Sequence, residues 1–277
     1  MRLARPRRPR QGAAMQAGPI FVGVGGWDYE PWRETFYPRG LPKSRQLEHA
    51  ATLLTATEIN ATHYKLQKPE TFERWAAAVP DGFRFAVKAS RFCTNRKVLC
   101  EGGEGIAKFC AQGLTALGDK LGPILWQFMA TKKFDPDDFW AFLELLPRTQ
   151  DGVRLRHVVE PRHDSFRTAE FVEMARAADV GIVFADSDDY PLIADGSGGI
   201  VYARLQRSQT DQPNGYPDHG FERWADTAKA WARGESPPAF PYLADSPPAA
   251  PRETYIFFIS GAKERNPLAA RALIERL

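Results

Sequence analysis

The chain has 277 residues, 43% of them hydrophobic and 26% charged, which is enough apolar material for a sizeable core and a length that α/β barrels fill as one domain. No stretch approaches the roughly 18 apolar residues of a membrane span, so no membrane is expected among its partners and the chain reads as soluble and cytoplasmic. The formal charge of +3 misleads, because Arg2, Arg5, Arg7, Arg8 and Arg10 load a head without acids; the body behind it is slightly acidic and lacks the basic footprint of a nucleic-acid binder.

Residues 1–18 are expected to be a disordered, arginine-rich extension. Arginine richness and acid poverty also fit a transit-like presequence, although Pro6 and Pro9 break the amphipathic helix it would need. A start at Met15 is the third reading. Residues 19–277 read as one domain.

Ile20 to Val24 is the first expected strand, and Gly25-Gly26 turns it into an aromatic loop from Trp27 to Trp32. A helix over Gln46 to Leu54 leads to a second strand, Thr57 to Tyr64. Thr71 to Ala78 is helical and is closed by Pro80. Phe83 to Lys88 alternates with period two, as a strand does. Ile106 to Leu117 is the third helix and Pro123 to Phe128 the fourth strand. Asp135-Pro136-Asp137-Asp138 is a helix start, with an acidic N-cap, proline at N1 and acids at the positive helix terminus; that helix runs to about Leu146. Arg156 to Glu160 is the fifth strand and Thr168 to Ala178 the fifth helix. Gly181 to Asp186 is the sixth strand, and Ser187 to Gly199 carries no clear helix. Ile200 to Leu205 and Thr254 to Ser260 complete the strands, with helices over Phe221 to Ala232 and from Asn266 to the end. Glu235 to Pro251 is expected to be a surface loop.

Strands separated by helical runs call for parallel pairing through right-handed crossovers. Eight of them favour a single α/β (β/α)8 TIM barrel, slightly irregular around strands 6–8. A doubly wound sheet is the alternative, but Gly23-Val24-Gly25-Gly26 lacks the G-x-G-x-x-G spacing of a dinucleotide site and no P-loop is present. No cofactor is indicated. Cys93, Cys100 and Cys110 match no common zinc spacing and read as reduced thiols, with a three-thiolate cluster as the alternative.

In such barrels the active site sits where the strands end. Side chains alternate across a strand, and that alternation turns Glu58 and Asn60, Lys88, Glu160 and Arg162, and Arg204 toward the axis. Asp186 is placed in the same inward set, and Gln127 is the polar residue of the apolar fourth strand. Three acids and three bases would then share the mouth. Unpaired buried charges are costly, so the six should pair with one another or with a ligand.

Paired carboxylates serve as general acid and base, which singles out Glu58 and Glu160. A desolvated Lys88 serves as a base or Schiff-base nucleophile. His163, just past the fifth strand, is a further acid/base candidate. Arg162 and Arg204 offer planar forks for a carboxylate or phosphate, and Trp27, Tyr29, Trp32 and Tyr64 offer stacking faces. The expected partner is a small polar molecule, anionic or sugar-like. The alternatives are a nuclease-like barrel collecting a divalent metal on Glu58, His63, Glu160, His163 and Asp186, and a non-catalytic ligand-binding barrel. No metal site is assigned, since no compact ligand signature is present.

The chain resembles domain-of-unknown-function family 72, the YecE-like proteins. The resemblance rests on Gly23-Val24-Gly25-Gly26-Trp27-Asp28-Tyr29 with Trp32 and Phe36-Tyr37-Pro38, on Glu58-Ile59-Asn60 with Tyr64, on Trp75 with Pro80, and on Phe83 to Lys88. Lys120 to Gln127, Val159-Glu160-Pro161-Arg162-His163 and Val201 to Leu205 follow in order. It implies a TIM barrel and no established activity. Three departures lie near the expected mouth. Phe128-Met129-Ala130 stands where the family has Leu-Pro-Pro, Gln206-Arg207-Ser208 where it has a His-Gly loop, and Ile259-Ser260-Gly261 where it has paired asparagines.

Overall fold

The computed structural model describes residues 16–277. Most of the expected N-terminal extension, residues 1–15, lies outside the described residues. Gly18 is already tied to the body, its amide donating to the Ala232 carbonyl at 2.8 Å.

Eight parallel strands close into a barrel: β1 Ile20–Gly25, β2 Ala56–Ile59, β3 Arg84–Lys88, β4 Leu121–Gln127, β5 His157–Glu160, β6 Gly181–Asp186, β7 Ile200–Leu205 and β8 Glu253–Phe258. The order around the ring is β1-β8-β7-β6-β5-β4-β3-β2, and β1 pairs in parallel with both β8 and β2. The chain is an α/β (β/α)8 barrel. The connections carry α1 Trp32–Thr35, α2 Gln46–Ala51, α3 Ala61–Tyr64, α4 Pro69–Ala77 and α5 Arg91–Thr94. They continue with α6 Gly103–Cys110, α7 Pro136–Glu144, α8 Ala169–Ala177, α9 Asp218–Ala232 and α10 Asn266–Ile274. Between β6 and β7 there is only a 3₁₀ turn, Ser197–Gly199, which is the irregularity expected there. No helix of the described residues is long and apolar enough to cross a membrane.

Two segments depart from expectation. The second strand stops at Ile59, and Ala61–Tyr64 is helical. The expected third helix ends at Cys110, where Gly113 takes a left-handed φ of 99° and a 3₁₀ segment, Leu114–Lys120, follows. A left-handed residue cannot propagate an α-helix, and glycine adopts it without steric cost.

The apolar side chains divide into two shells. Val22, Ile59, Val87, Trp126, Phe184 and Phe258 face outward against the helices, in one large cluster. Ala56, Ala86, Leu125, Val158, Val183, Tyr202, Tyr255 and Phe257 fill the barrel interior. Both strand faces are therefore buried, as in parallel sheets generally. At one end of the axis Arg156 contacts the Tyr255 hydroxyl and Glu253. At the other, where the strands terminate, the filling turns from apolar to charged.

Candidate functional site

Counting two residues along each strand from the apolar interior places Glu58, Lys88, Gln127, Glu160 and Arg204 in one layer at the C-terminal mouth. Arg204 is the hub. One terminal nitrogen donates to both Glu160 oxygens, at 2.9 and 2.6 Å, and the other reaches Glu58 at 3.1 Å. The Tyr202 hydroxyl donates to the second Glu58 oxygen at 2.8 Å, and Gln127 donates to Glu160 at 2.5 Å. Arg162 approaches Glu160 at 3.4 Å and stacks over the Tyr190 ring at 4.1 Å. Glu58 and Glu160 are wholly buried and Arg204 nearly so.

Both carboxylates expected as the acid/base couple are thus engaged by protein donors. Burial alone would raise the Glu160 pKa, but the Arg204 and Arg162 charges outweigh it and hold the carboxyl below its ordinary range. Glu160 is held by Arg204, Arg162 and Gln127, and Glu58 by Arg204 and Tyr202. Burial would in turn lower the Arg204 pKa, and the two glutamates more than reverse that.

Above this layer opens a cavity of about 710 Å³. Lys88, Arg162, Arg204 and Lys263 line it, and Asp28 is the one carboxylate among its described lining residues. Asp28 is exposed and already paired with Lys43 at 3.1 Å. Lys88 has no carboxylate within 4.0 Å among the described residues. Desolvation first, then repulsion from Arg204, lowers its pKa to about 8. Trp27 and Trp75 meet edge to face at 5.3 Å, and with the exposed Tyr64 they wall one side. Asn60 and Gln127 add neutral amides. Gly25 keeps this wall thin: a Cβ there would lie 2.8 Å from Ile259 Cδ1 and 3.0 Å from the Asn60 amide nitrogen.

Of the remaining expected residues, Asp186, His163 and Tyr29 lie outside the cavity lining. Asp186 is corrected from the inward set. It shares the outward face of β6 with Phe184, which packs on Trp224 and Trp231, while Ala185 is the neighbour of Arg204 in register. Asp186 pairs with Arg207 at 3.5 Å, and burial raises its pKa. His163 turns away, its Nδ1 meeting the Ser165 hydroxyl at 2.9 Å and its amide at 3.1 Å as the cap of a 3₁₀ turn. Trp32 lines the cavity although almost wholly buried, its indole donating to the Lys263 carbonyl at 2.9 Å. Tyr29 packs on Trp32 and carries the Lys263 ammonium 4.1 Å above its ring; it orients that cation and is not a cavity wall. The donors proposed for a metal are thus dispersed, and the described residues contain no group of three His, Cys, Asp or Glu side chains placed to hold one.

Lys263, Trp75 and Asn266 line the cavity without having been singled out for a site. Lys263 lies just past β8, and position beyond a strand end was its available signal. Trp75 sits on α4, where an aromatic reads as core. Ser208 donates to Asn266 at 2.7 Å and Asn266 to the Ser260 carbonyl at 3.0 Å, so two of the three departures from the family pattern meet here. In the third, Phe128 is buried among Phe139, Phe142 and Phe166. A second cavity, of about 700 Å³, lies among the segments leading into β5 and β6. In it Arg154 is paired with Asp179, and His157 is held between Trp126 and Pro147 with its pKa pushed down to about 4 by burial.

The sequence model of the family described as "Protein of unknown function DUF72" matches residues 21–277. The chain belongs to the DUF72 family. UPF0759 protein YecE of Escherichia coli (strain K12) is 29% identical to it over 142 residues, 50% of this chain and 48% of that protein, so the chain spans about half the length of the curated relatives it matches. A DUF72 protein from Thermotoga maritima superimposes with a TM-score of 0.70 at 21% identity, covering 93% of this chain and 98% of that one. One from Enterococcus faecalis gives 0.65 at 15% identity, covering 93% and 95%. These two likenesses show the fold. A shared barrel does not bring a reaction with it, so function has to be argued from the site itself.

Proposed function

We propose that this DUF72 chain is an enzyme acting on a small anionic molecule at the barrel mouth, with Lys88 as the group that accepts a proton from it. One observation carries the reading: four cations line a cavity whose single lining carboxylate is exposed and paired elsewhere. Glu58 and Glu160 neutralise Arg204 and much of Arg162, which leaves Lys88 and Lys263 as the excess charge. A carboxylate or phosphate on the ligand balances it. Guanidinium and ammonium groups bind such anions by charge-assisted hydrogen bonds. A lysine whose pKa lies near 8 is neutral often enough near physiological pH to act as a base. Trp27, Tyr64 and Trp75 give the body of the ligand an aromatic face.

Thermal unfolding in the presence of inorganic phosphate, malonate, citrate and sugar phosphates tests the binding step. At least one anion should raise Tm, and Arg162→Ala and Lys88→Met should each reduce the rise. Equal shifts in wild type and both variants would remove the site. An anion bound with unchanged affinity by Lys88→Met would leave a binding protein in which the amine has no part.

A further inference from the structure

Lys88 stands apart from every other charge in its layer, because among the described residues no group accepts from it. The two carboxylates whose charges act on it are consumed. Glu58, on β2, is held by Arg204 and Tyr202, and Glu160 by Arg204, Gln127 and Arg162. The amine lines the cavity uncommitted, whereas Arg204, also in the lining, is held by both glutamates. Asn60 follows β2, the strand beside that of Lys88, and its amide nitrogen makes only a 3.4 Å contact with the Glu58 carbonyl, which leaves a neutral donor in the same cavity lining as the amine. Arg162 and Lys263 line the same cavity. An uncommitted amine, a neutral amide donor and cations that anchor an anionic tail are the parts needed to capture a carbonyl.

We infer that Lys88 forms an imine with an aldehyde or ketone that carries a carboxylate or phosphate. This rests on the anion-binding reading of the mouth and goes beyond it, because a base exchanges protons without forming a bond to carbon. The neutral amine attacks the carbonyl carbon, a C–N bond forms as the C–O π bond breaks, and the Asn60 amide donates to the developing oxyanion. Both amine protons leave with the carbonyl oxygen as one water, so the step consumes no oxidant or reductant. The lowered Lys88 pKa supports this chemistry by raising the fraction of neutral amine.

The test is reductive trapping. The full chain is incubated at about pH 8 with pyruvate, 2-oxoglutarate, glyoxylate or dihydroxyacetone phosphate, treated with sodium borohydride, and analysed by intact mass and peptide mapping. The expected result is one adduct, on Lys88, with the mass of the carbonyl compound less one oxygen. It should fall about ten-fold or more in Lys88→Arg and Lys88→Met, both checked for folding by circular dichroism. Labelling by the keto acids marks a carboxylate ligand, and labelling by the triose phosphate a phosphate ligand. If no probe labels Lys88 above the level of surface lysines while phosphate still raises Tm, the imine is overturned and the anion site stands. If neither labelling nor a thermal shift occurs with any anion, both fall.

Discussion

Lys88 is the residue whose burial costs the fold most directly. Its ammonium is partly desolvated, repelled by Arg204 and Arg162, and attracted by Glu58 and Glu160 without contact; the folded pKa is about 8, against an ordinary 10.5. Below pH 8 both folded and unfolded chains hold the proton, and the full penalty applies. Between about 8 and 10.5 the unfolded chain binds more protons than the folded one, so stability attributable to this group rises with pH. Lys88→Met should therefore be more stable than wild type at pH 7, on the order of 2 kcal/mol after discounting for contact with cavity water. Urea unfolding at pH 7 and near pH 10 checks it: the advantage should shrink at the higher pH, and a Met variant weaker than wild type at pH 7 would end the argument. Arg204 predicts the opposite sign. Arg204→Met leaves Glu58 buried without a counter-charge and Glu160 with Arg162 alone at 3.4 Å, and should cost roughly 3–5 kcal/mol, read as a fall in the denaturation midpoint or failure to fold. Sequence alternation gave the parity of Glu58, Lys88, Glu160 and Arg204, but not that of Asp186. Gly181-Ile182-Val183-Phe184-Ala185 is apolar on both faces, and nothing in such a run says which face meets the axis.

At the scale of elements, the strands were legible because β-branched and aromatic runs recur between helical ones, and α7 was legible from its cap: the Asp135 carboxylate accepts from the Asp138 amide at 3.1 Å with Pro136 at the first position. Asp138 proved to do more than face the helix terminus. It accepts from the Leu99 and Cys100 amides, both at 2.9 Å, and from Lys132; this long-range clamp leaves no mark in a local pattern. The end of β2 was illegible for a related reason. Thr57 to Tyr64 has strand-like composition throughout, but what stops the strand is tertiary: Thr62 is buried, and its hydroxyl reaches the Lys88 carbonyl at 2.7 Å and the Ile59 carbonyl at 3.2 Å. That bond ties α3 to the end of β3 and so fixes Tyr64 at the rim beside Lys88. Thr62→Val keeps the shape and removes the hydroxyl, and it should cost about 1–2 kcal/mol. It should also weaken phosphate binding while leaving the circular dichroism spectrum unchanged. A variant with wild-type stability would show that α3 is held by packing alone.

The whole molecule separates its positive charge into two places: the mouth cations, set in a slightly acidic body, and the five arginines of the first ten residues. The two should respond differently to salt. A protein that neutralises several phosphates of a polyanion releases that many counterions, and the logarithm of its affinity falls with the logarithm of salt with a slope of about −0.9 per phosphate. A cavity of about 710 Å³ takes one small anion, so its salt dependence should be shallow. At about 100 times its Kd such a ligand adds about 2.7 kcal/mol of stability, roughly 5–10 °C in Tm for a domain of this size. The full chain should therefore be retained on DNA at low salt with a steep slope set by the arginine head. Removing residues 1–15 should abolish that retention and leave the phosphate-induced Tm shift unchanged. If the shortened chain still bound DNA with a slope of several, the body would carry an extended basic surface, and the nuclease-like reading would displace the small-anion site.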